Sequence, residues 1–264
     1  AGETLPEILN EYTLLTGRSA LPTKQSLGYC ASTMYYAELE KNCDEEIYKV
    51  IDKHEKEGIL IDNFWLASGY SSGEKDNLRY VFNWNYKRFP EPEKFFENMN
   101  ARGINVIPNL KPGILKHHPY IDLFEKNDVF IKTPDGKAPY YGRWWGGEGR
   151  FFDFTGPNGR NTWKQLLEEN ILKKGTKTVW NDNCEEDRDA QCDFEGKKGT
   201  MAELKILHSN LMAYTAKQAL ADVYPGERPY IINRAGYAGI QRYAQVWGGD
   251  NLTDWRTVKF NIAT

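Results

Sequence analysis

Two aspartates, Asp182 and Asp250, sit in similar company in this chain of 264 residues. The first lies in TVWNDN (178–183) and the second in QVWGGDN (245–251); each follows a tryptophan within three residues and is followed by asparagine. That setting joins a titratable carboxyl to an apolar ring and to an amide able to orient a carboxylate or bind a hydroxyl. Two carboxyl groups facing each other across a polyhydroxylated substrate can cleave a glycosidic bond; where one of them attacks the sugar directly, the pair lies about 5–5.5 Å apart. On local sequence alone a second reading stands level with this one, in which Asp182 caps a loop. Beyond it Glu186, Asp187, Asp189 and Asp193 form an acidic run. Its default reading is a solvated acidic loop; calcium binding is the sharper alternative, without EF-hand spacing to support it.

The elements that must position these carboxylates are legible as short apolar runs alternating with amphipathic stretches. Strands are expected at 27–32, 59–68, 104–110, 178–183, 229–236 and 245–251. Helices are expected at 44–58, 90–103, 161–175 and 201–223, the second opening with Pro and closing with Gly. Six strands in series, with polar and aromatic residues gathered just after each, predict an α/β chain of the (β/α)8 TIM-barrel type, incomplete at about six strands. No GxGxxG opens a helix, so a dinucleotide fold has little support. The expected organisation is a lead-in segment at 1–26, then a partial catalytic barrel at 27–264 with a long excursion at about 112–157 that packs over one end. The remaining strands are expected in the rest of a longer chain. In a parallel barrel the carboxyl ends of the strands form the reactive face, and both aspartates fall there.

Composition excludes several partners. Lysine plus arginine number 34 against 37 acidic residues, with no long basic run, so a nucleic-acid footprint is missing. No apolar stretch approaches the roughly 18 residues of a membrane span, so a soluble chain is expected, its location open. The four cysteines, Cys30, Cys43, Cys184 and Cys192, form no CxxC pair and are read as free thiols rather than a Cys184–Cys192 bridge. His117-His118 reads as part of a solvated loop, because adjacent side chains seldom converge on one ion. No metal and no cofactor are expected. Aromatics make up 14% of the chain; most belong to a core, yet Trp65, Trp144, Trp145, Trp180 and Trp247 stand beside polar residues near strand ends, where an apolar face suits a sugar ring.

Five ordered segments resemble glycoside hydrolase family 31 across nearly the whole chain. YTLLTGRSALPTKQSLGY is similar to the family's "YTxLTGxxxLPPxWxLGY", and FNWNYKRFPEPEKFFENMNARGINV to its "RFPDPxxxxxxLHxxGxxV". FFDFTGPNGRNTW resembles "xPDFTNPxxRxWW", and WNDNCE resembles "WxDMNE". RAGYAGIQRYAQVWGGDN, the most specific, resembles "RSxFAGSQRYxxxWxGDN". The resemblance implies a retaining, exo-acting α-glycosidase with Asp182 as nucleophile, Asp250 as general acid/base, Glu185 as the motif's glutamate, and Arg234 and Trp247 lining the sugar subsite. One departure bears on specificity: the "WxDIDY" of the glucosidases, whose first Asp binds an equatorial 4-hydroxyl, is WLASGY here, with Ala67 and Gly69 in place of the two aspartates. That set resembles the branch acting on α-galactosides or α-N-acetylgalactosaminides. Lys111, Asn109 and the Trp144-Trp145 segment are candidates for an axial 4-hydroxyl, and Trp180 and Tyr70 complete the substrate-binding candidates. An oligosaccharide or glycoconjugate is the expected partner. An α-glucosidase or α-glucosyltransferase, and a non-catalytic sugar-binding homologue, remain the alternatives.

Overall fold

The computed structural model describes residues 2–262. Eleven strands run in chain order as β1 (Cys30–Thr33), β2 (Asn63–Leu66), β3 (Asn105–Leu110), β4 (Gly113–Leu115), β5 (Gly142–Trp144), β6 (Gly147–Phe151), β7 (Thr178–Asn181), β8 (Gln191–Phe194), β9 (Lys197–Thr200), β10 (Tyr230–Asn233) and β11 (Gln245–Val246). The α-helices are α1 (Leu5–Thr16), α2 (Cys43–Lys56), α3 (Pro92–Ala101), α4 (Ile121–Lys126), α5 (Pro157–Asn170), α6 (Met201–Val223) and α7 (Trp255–Asn261). Six strands form one sheet in the order β1-β2-β3-β7-β10-β11, every pair parallel. This is the incomplete barrel that the alternation of strands and helices predicts. Among the described residues no helix is long and apolar enough to cross a membrane.

The helices form where sequence and electrostatics agree. Helix α2 has Asp44, Glu45 and Glu46 in its first turn and Lys53, His54 and Lys56 in its last, which complements the helix dipole. Its Cys43, Ile47 and Ile51 recur every four residues and are buried on one face. Truncating either isoleucine to alanine would cost about 2–5 kcal/mol. Helix α6 starts with a capping box between Thr200 and Glu203.

Period-two alternation sorts the parallel strands into two layers. Phe64, Leu66, Val106, Val179 and Ile231 join the core shared with the helices. Ile107, Tyr230, Ile232, Trp65, Trp180 and Trp247 form a separate cluster on the other side. The residues that extend this second row past the strand ends are Lys111, Asp182 and Arg234.

The lead-in segment contains a regular helix, α1, capped by Thr4 and Glu7. Within the excursion β4-β6-β5 form an antiparallel sheet, and α4 lies in the same stretch. Some expectations needed correction. Helix α5 starts at Pro157, four residues before the expected 161, because Pro at N1 has the right φ already. The sixth strand is only two residues long, so Asp250 stands on a loop beyond it. His118 is buried rather than solvated, its Nε2 donating to Val81 O at 2.9 Å while Nδ1 accepts from the Tyr120 N–H at 3.1 Å. Glu186 is buried too, chelating Arg188 Nη1 at 2.8 and 2.9 Å, so the acidic run is not uniformly solvated.

Candidate active site

Register alone brings three charged residues together. Asn109 and Ile232 both pair with Trp180. Two residues further along each strand come Lys111, Asp182 and Arg234, adjacent and on the same side as Trp180. The ladder continues through them: the Asp182 N–H donates to Leu110 O at 2.9 Å and the Arg234 N–H to Asn181 O at 3.0 Å. Strand register therefore places a carboxylate between two cations at the carboxyl end of the sheet.

The contacts of Asp182 are saturated. Its Oδ2 accepts from Lys111 Nζ and from Asn109 Nδ2 at 3.0 Å. Its Oδ1 accepts from the Asn183 N–H at 2.8 Å and lies 3.0 Å from Arg234 Nη1. Only 6% of the side chain is exposed. Burial pushes the carboxyl upward, but the Lys111 charge and hydrogen bond, Asn109 and the Arg234 charge outweigh it and hold the group below its ordinary value. Lys111 responds the other way. Its burial outweighs the attraction of Asp182 and lowers its pKa, so the geometry favours the carboxylate's charge more than the ammonium's.

Arg234 bridges the acidic groups. Its Nε and Nη2 donate to Glu185 Oε1 and Oε2 at 2.6 and 2.9 Å, a bidentate fork. Its Nη1 faces both Asp182 Oδ1, at 3.0 Å, and Asp250 Oδ2, at 3.5 Å. Those two oxygens are no further apart than the two distances laid end to end, about 6.5 Å. Burial lowers the guanidinium's pKa, but Glu185, Asp182 and Asp250 reverse this and raise it overall. Asp250 itself is 90% exposed at the mouth of the site. The carboxylates thus differ in environment, one sealed and salt-bridged, the other facing solvent.

A cavity of about 130 Å3 lies between them, lined by Ala67, Ser68, Trp145, Trp180 and Asn183 as well as the charged residues. Asn109 and Lys111 form part of its wall. Trp145 occupies the turn of the β5–β6 hairpin, with the Lys111 ammonium 4.9 Å from its ring centroid. Trp247 is not among the lining residues; it packs edge-on to Trp180, 5.5 Å between centroids, and supports it from below. Tyr70 does not reach the cavity. It is fully buried, its ring tilted against Trp84 with 4.6 Å between centroids, and its hydroxyl donates to Asn109 O at 3.0 Å, so it braces the end of β3 from behind. Among the described residues the buried Asn109 Oδ1 and Trp180 Nε1 have no hydrogen-bond partner.

Sequence reasoning missed Met34 and Ser68 as lining residues, whereas Asn183 lines the cavity beside Asp182 as its place after the aspartate suggests. Both missed residues immediately follow a strand or its short extension, and that position was the available signal. The wall at Gly69 is closed to a carboxylate: a Cβ there would meet Ala37 O at 2.2 Å. Among the described residues no group of three or more His, Cys, Asp or Glu side chains could hold a metal ion.

Comparison with known proteins agrees with the barrel fold. Residues 19–264 match the family described as the glycosyl hydrolases family 31 TIM-barrel domain. Alpha-glucosidase 2 of Bacillus thermoamyloliquefaciens is 30% identical over 273 residues, covering 99% of this chain and 33% of that protein. Neutral alpha-glucosidase AB of Sus scrofa is 29% identical, covering 99% of this chain and 28% of that protein. Among solved structures, a glucosidase II alpha subunit superposes with a TM-score of 0.83 at 27% identity, over 98% of this chain and 28% of that one. The chain thus spans about a third or less of the length of these relatives. With six parallel barrel strands and the match over residues 19–264 in agreement, the chain belongs to glycosyl hydrolase family 31, as part of its TIM-barrel domain.

Proposed function

We propose that the full-length protein is a retaining, exo-acting α-glycoside hydrolase with Asp182 as nucleophile and Asp250 as general acid/base. The observation that carries this reading is the shared contact of both carboxylates with Arg234 Nη1. It limits the separation of Asp182 Oδ1 and Asp250 Oδ2 to at most about 6.5 Å, the lower edge of the roughly 6.5–9.5 Å that leaves room for a water in inverting enzymes. Asp182, held ionised by Lys111 and Arg234, attacks the anomeric carbon. Asp250, which faces solvent, protonates the leaving oxygen and then takes a proton from the incoming water. Arg234 orients both groups. Trp180 and Trp145 offer ring faces to the sugar, Trp247 supports Trp180, and Asn109 holds Asp182 Oδ2 through its side-chain amide N–H.

For the sugar, we favour a terminal α-galactoside or α-N-acetylgalactosaminide. Ala67 and Ser68 form the wall where the glucosidase pattern has a carboxylate, and the closed space at Gly69 leaves no room for another. The second reading, an α-glucoside, is supported by the names of the relatives, which are alpha-glucosidases. A panel of 4-nitrophenyl α-glucoside, α-galactoside, α-N-acetylgalactosaminide and α-xyloside separates the two. Preference for glucose refutes the use made of Ala67. Absence of turnover on every member, with wild type equal to Asp182→Ala, would leave only a non-catalytic sugar-binding role. Retention is checked by following the anomer released first by NMR. The acid limb of kcat/KM is expected below 3.8, the ordinary value for an aspartate, because its neighbours hold Asp182 ionised.

A further inference from the structure

We propose that Lys111 is a positioning residue that gives the two oxygens of Asp182 different tasks: Oδ1 attacks the sugar, and Oδ2 becomes the carbonyl oxygen of the glycosyl ester. The inference rests on the double-displacement reading above and goes beyond it. Oδ1 is the oxygen next to Arg234 Nη1, which also reaches Asp250, so it faces the side on which a sugar protonated by Asp250 must lie. Oδ2 is held by Lys111 Nζ and by Asn109 Nδ2 at 3.0 Å.

Lys111 is anchored as well as paired. Its Nζ donates to Asn183 Oδ1 at 2.7 Å, lies 4.9 Å from the Trp145 ring centroid, and belongs to a side chain only 11% exposed. Asn183 adopts φ 48, a left-handed conformation uncommon outside glycine. From there its N–H donates to Asp182 Oδ1 while its side-chain oxygen accepts from Lys111. One residue in an unusual backbone state thus ties the cation to one carboxylate oxygen and steadies the other.

The consequence is unequal for the two chemical steps. In the first, an electron pair on Oδ1 forms the bond to the anomeric carbon as the bond to the leaving oxygen breaks; that oxygen keeps the pair and takes the Asp250 proton. The carboxylate charge is consumed. In the second, the water oxygen bonds to the anomeric carbon and gives its proton to Asp250, while the Oδ1–carbon pair returns to Asp182 and the charge re-forms. A cation at Oδ2 stabilises that departing carboxylate, whereas in the first step it makes the nucleophile less basic. Removing Lys111 therefore slows breakdown of the ester more than its formation.

The test uses the full-length protein and the 4-nitrophenyl α-glycoside that wild type turns over fastest. For Lys111→Met the expected result is a kcat lower by on the order of 100-fold. KM falls with it, so that kcat/KM drops less. One equivalent of 4-nitrophenol appears in a burst, and mass spectrometry finds the sugar on the peptide carrying Asp182. The acid limb of kcat/KM moves up by about one pH unit, since the carboxylate has lost a neighbouring cation. Asn183→Gly, which suits the left-handed backbone and keeps the fold, is expected to show the same pattern more weakly. A raised KM with unchanged kcat overturns the inference, because Lys111 then contacts the sugar. An equal fall in kcat and kcat/KM, without a burst and with the acid limb unmoved, also overturns it. If wild type itself turns over none of the glycosides, it is the double-displacement reading that fails.

Discussion

Lowering the pH from 7 to 4 is expected to remove on the order of 3 kcal/mol of stability through one residue, His118. Its side chain is 1% exposed, and both ring nitrogens are committed: Nε2 donates to Val81 O, and Nδ1 accepts from the Tyr120 N–H. That pairing fixes the neutral tautomer, since a second proton at Nδ1 would confront another N–H. The surroundings are the rings of Tyr80, Tyr120 and Phe124. Burial accordingly pushes the ring from 6.5 down to about 4, against a smaller upward pull from the Val81 hydrogen bond. The unfolded chain takes up the proton first, so the stability is complete above pH 6.5 and is lost as pH falls toward 4. At about 1.4 kcal/mol per unit of pKa shift, the loss is on the order of 3 kcal/mol, a large share of the roughly 5–15 kcal/mol of a typical domain. Urea denaturation followed by tryptophan fluorescence at pH 7 and pH 4 measures it. His118→Gln, which can donate and accept but does not titrate in this range, is the reference; carboxylates common to both proteins cancel in the difference. Equal pH dependence in the two proteins would refute the reasoning.

Other consequences follow from the same contacts. Arg234→Lys keeps the charge but cannot span Glu185, Asp182 and Asp250 together; kcat/KM is expected to fall about 10- to 100-fold, from roughly 1.5–3 kcal/mol of lost charge-assisted bonding. Steady-state kinetics check this, and an unchanged kcat/KM contradicts the bridging role. Ala67→Asp is expected to fold and to raise turnover of the α-glucoside relative to the α-galactoside in the substrate panel. Gly69→Asp is expected to lose at least about 1–3 kcal/mol, because its Cβ collides with Ala37 O; a melting temperature equal to wild type would show that the backbone gives way. Burial raises the thiols of Cys43 and Cys192 to about 11 and of Cys184 to about 12. In native protein at pH 8, iodoacetamide is therefore expected to label Cys30 ahead of these three, as read by peptide mass spectrometry.

The amino-acid order determined the six parallel strands, because runs such as INVIPNL and TVWNDN are short, apolar and separated by amphipathic stretches with clear caps. It also marked Asp182 and Asp250, since residues at the carboxyl ends of parallel strands face one rim, while Arg234 was marked by the resemblance of RAGYAGIQRYAQVWGGDN to the family's motif. What it could not determine was the side to which each polar residue near those ends turns. His118 and Glu186 lie in polar stretches and read as solvated, yet each is buried with its polar atoms satisfied: His118 by the distant Val81 carbonyl, Glu186 by the Arg188 side chain two residues on, folded back onto it. Tyr70 follows a strand as an active-site residue does, but packing on Trp84 draws it behind β3. Tertiary structure also decided that Lys111 lies against Asp182 rather than open to a substrate: the two are 71 residues apart, and only the pairing of β3 with β7 sets their register. Sequence fixes which groups can carry charge; the fold decides which charges meet, because electrostatic pairing depends on separations of a few ångströms that no linear spacing encodes.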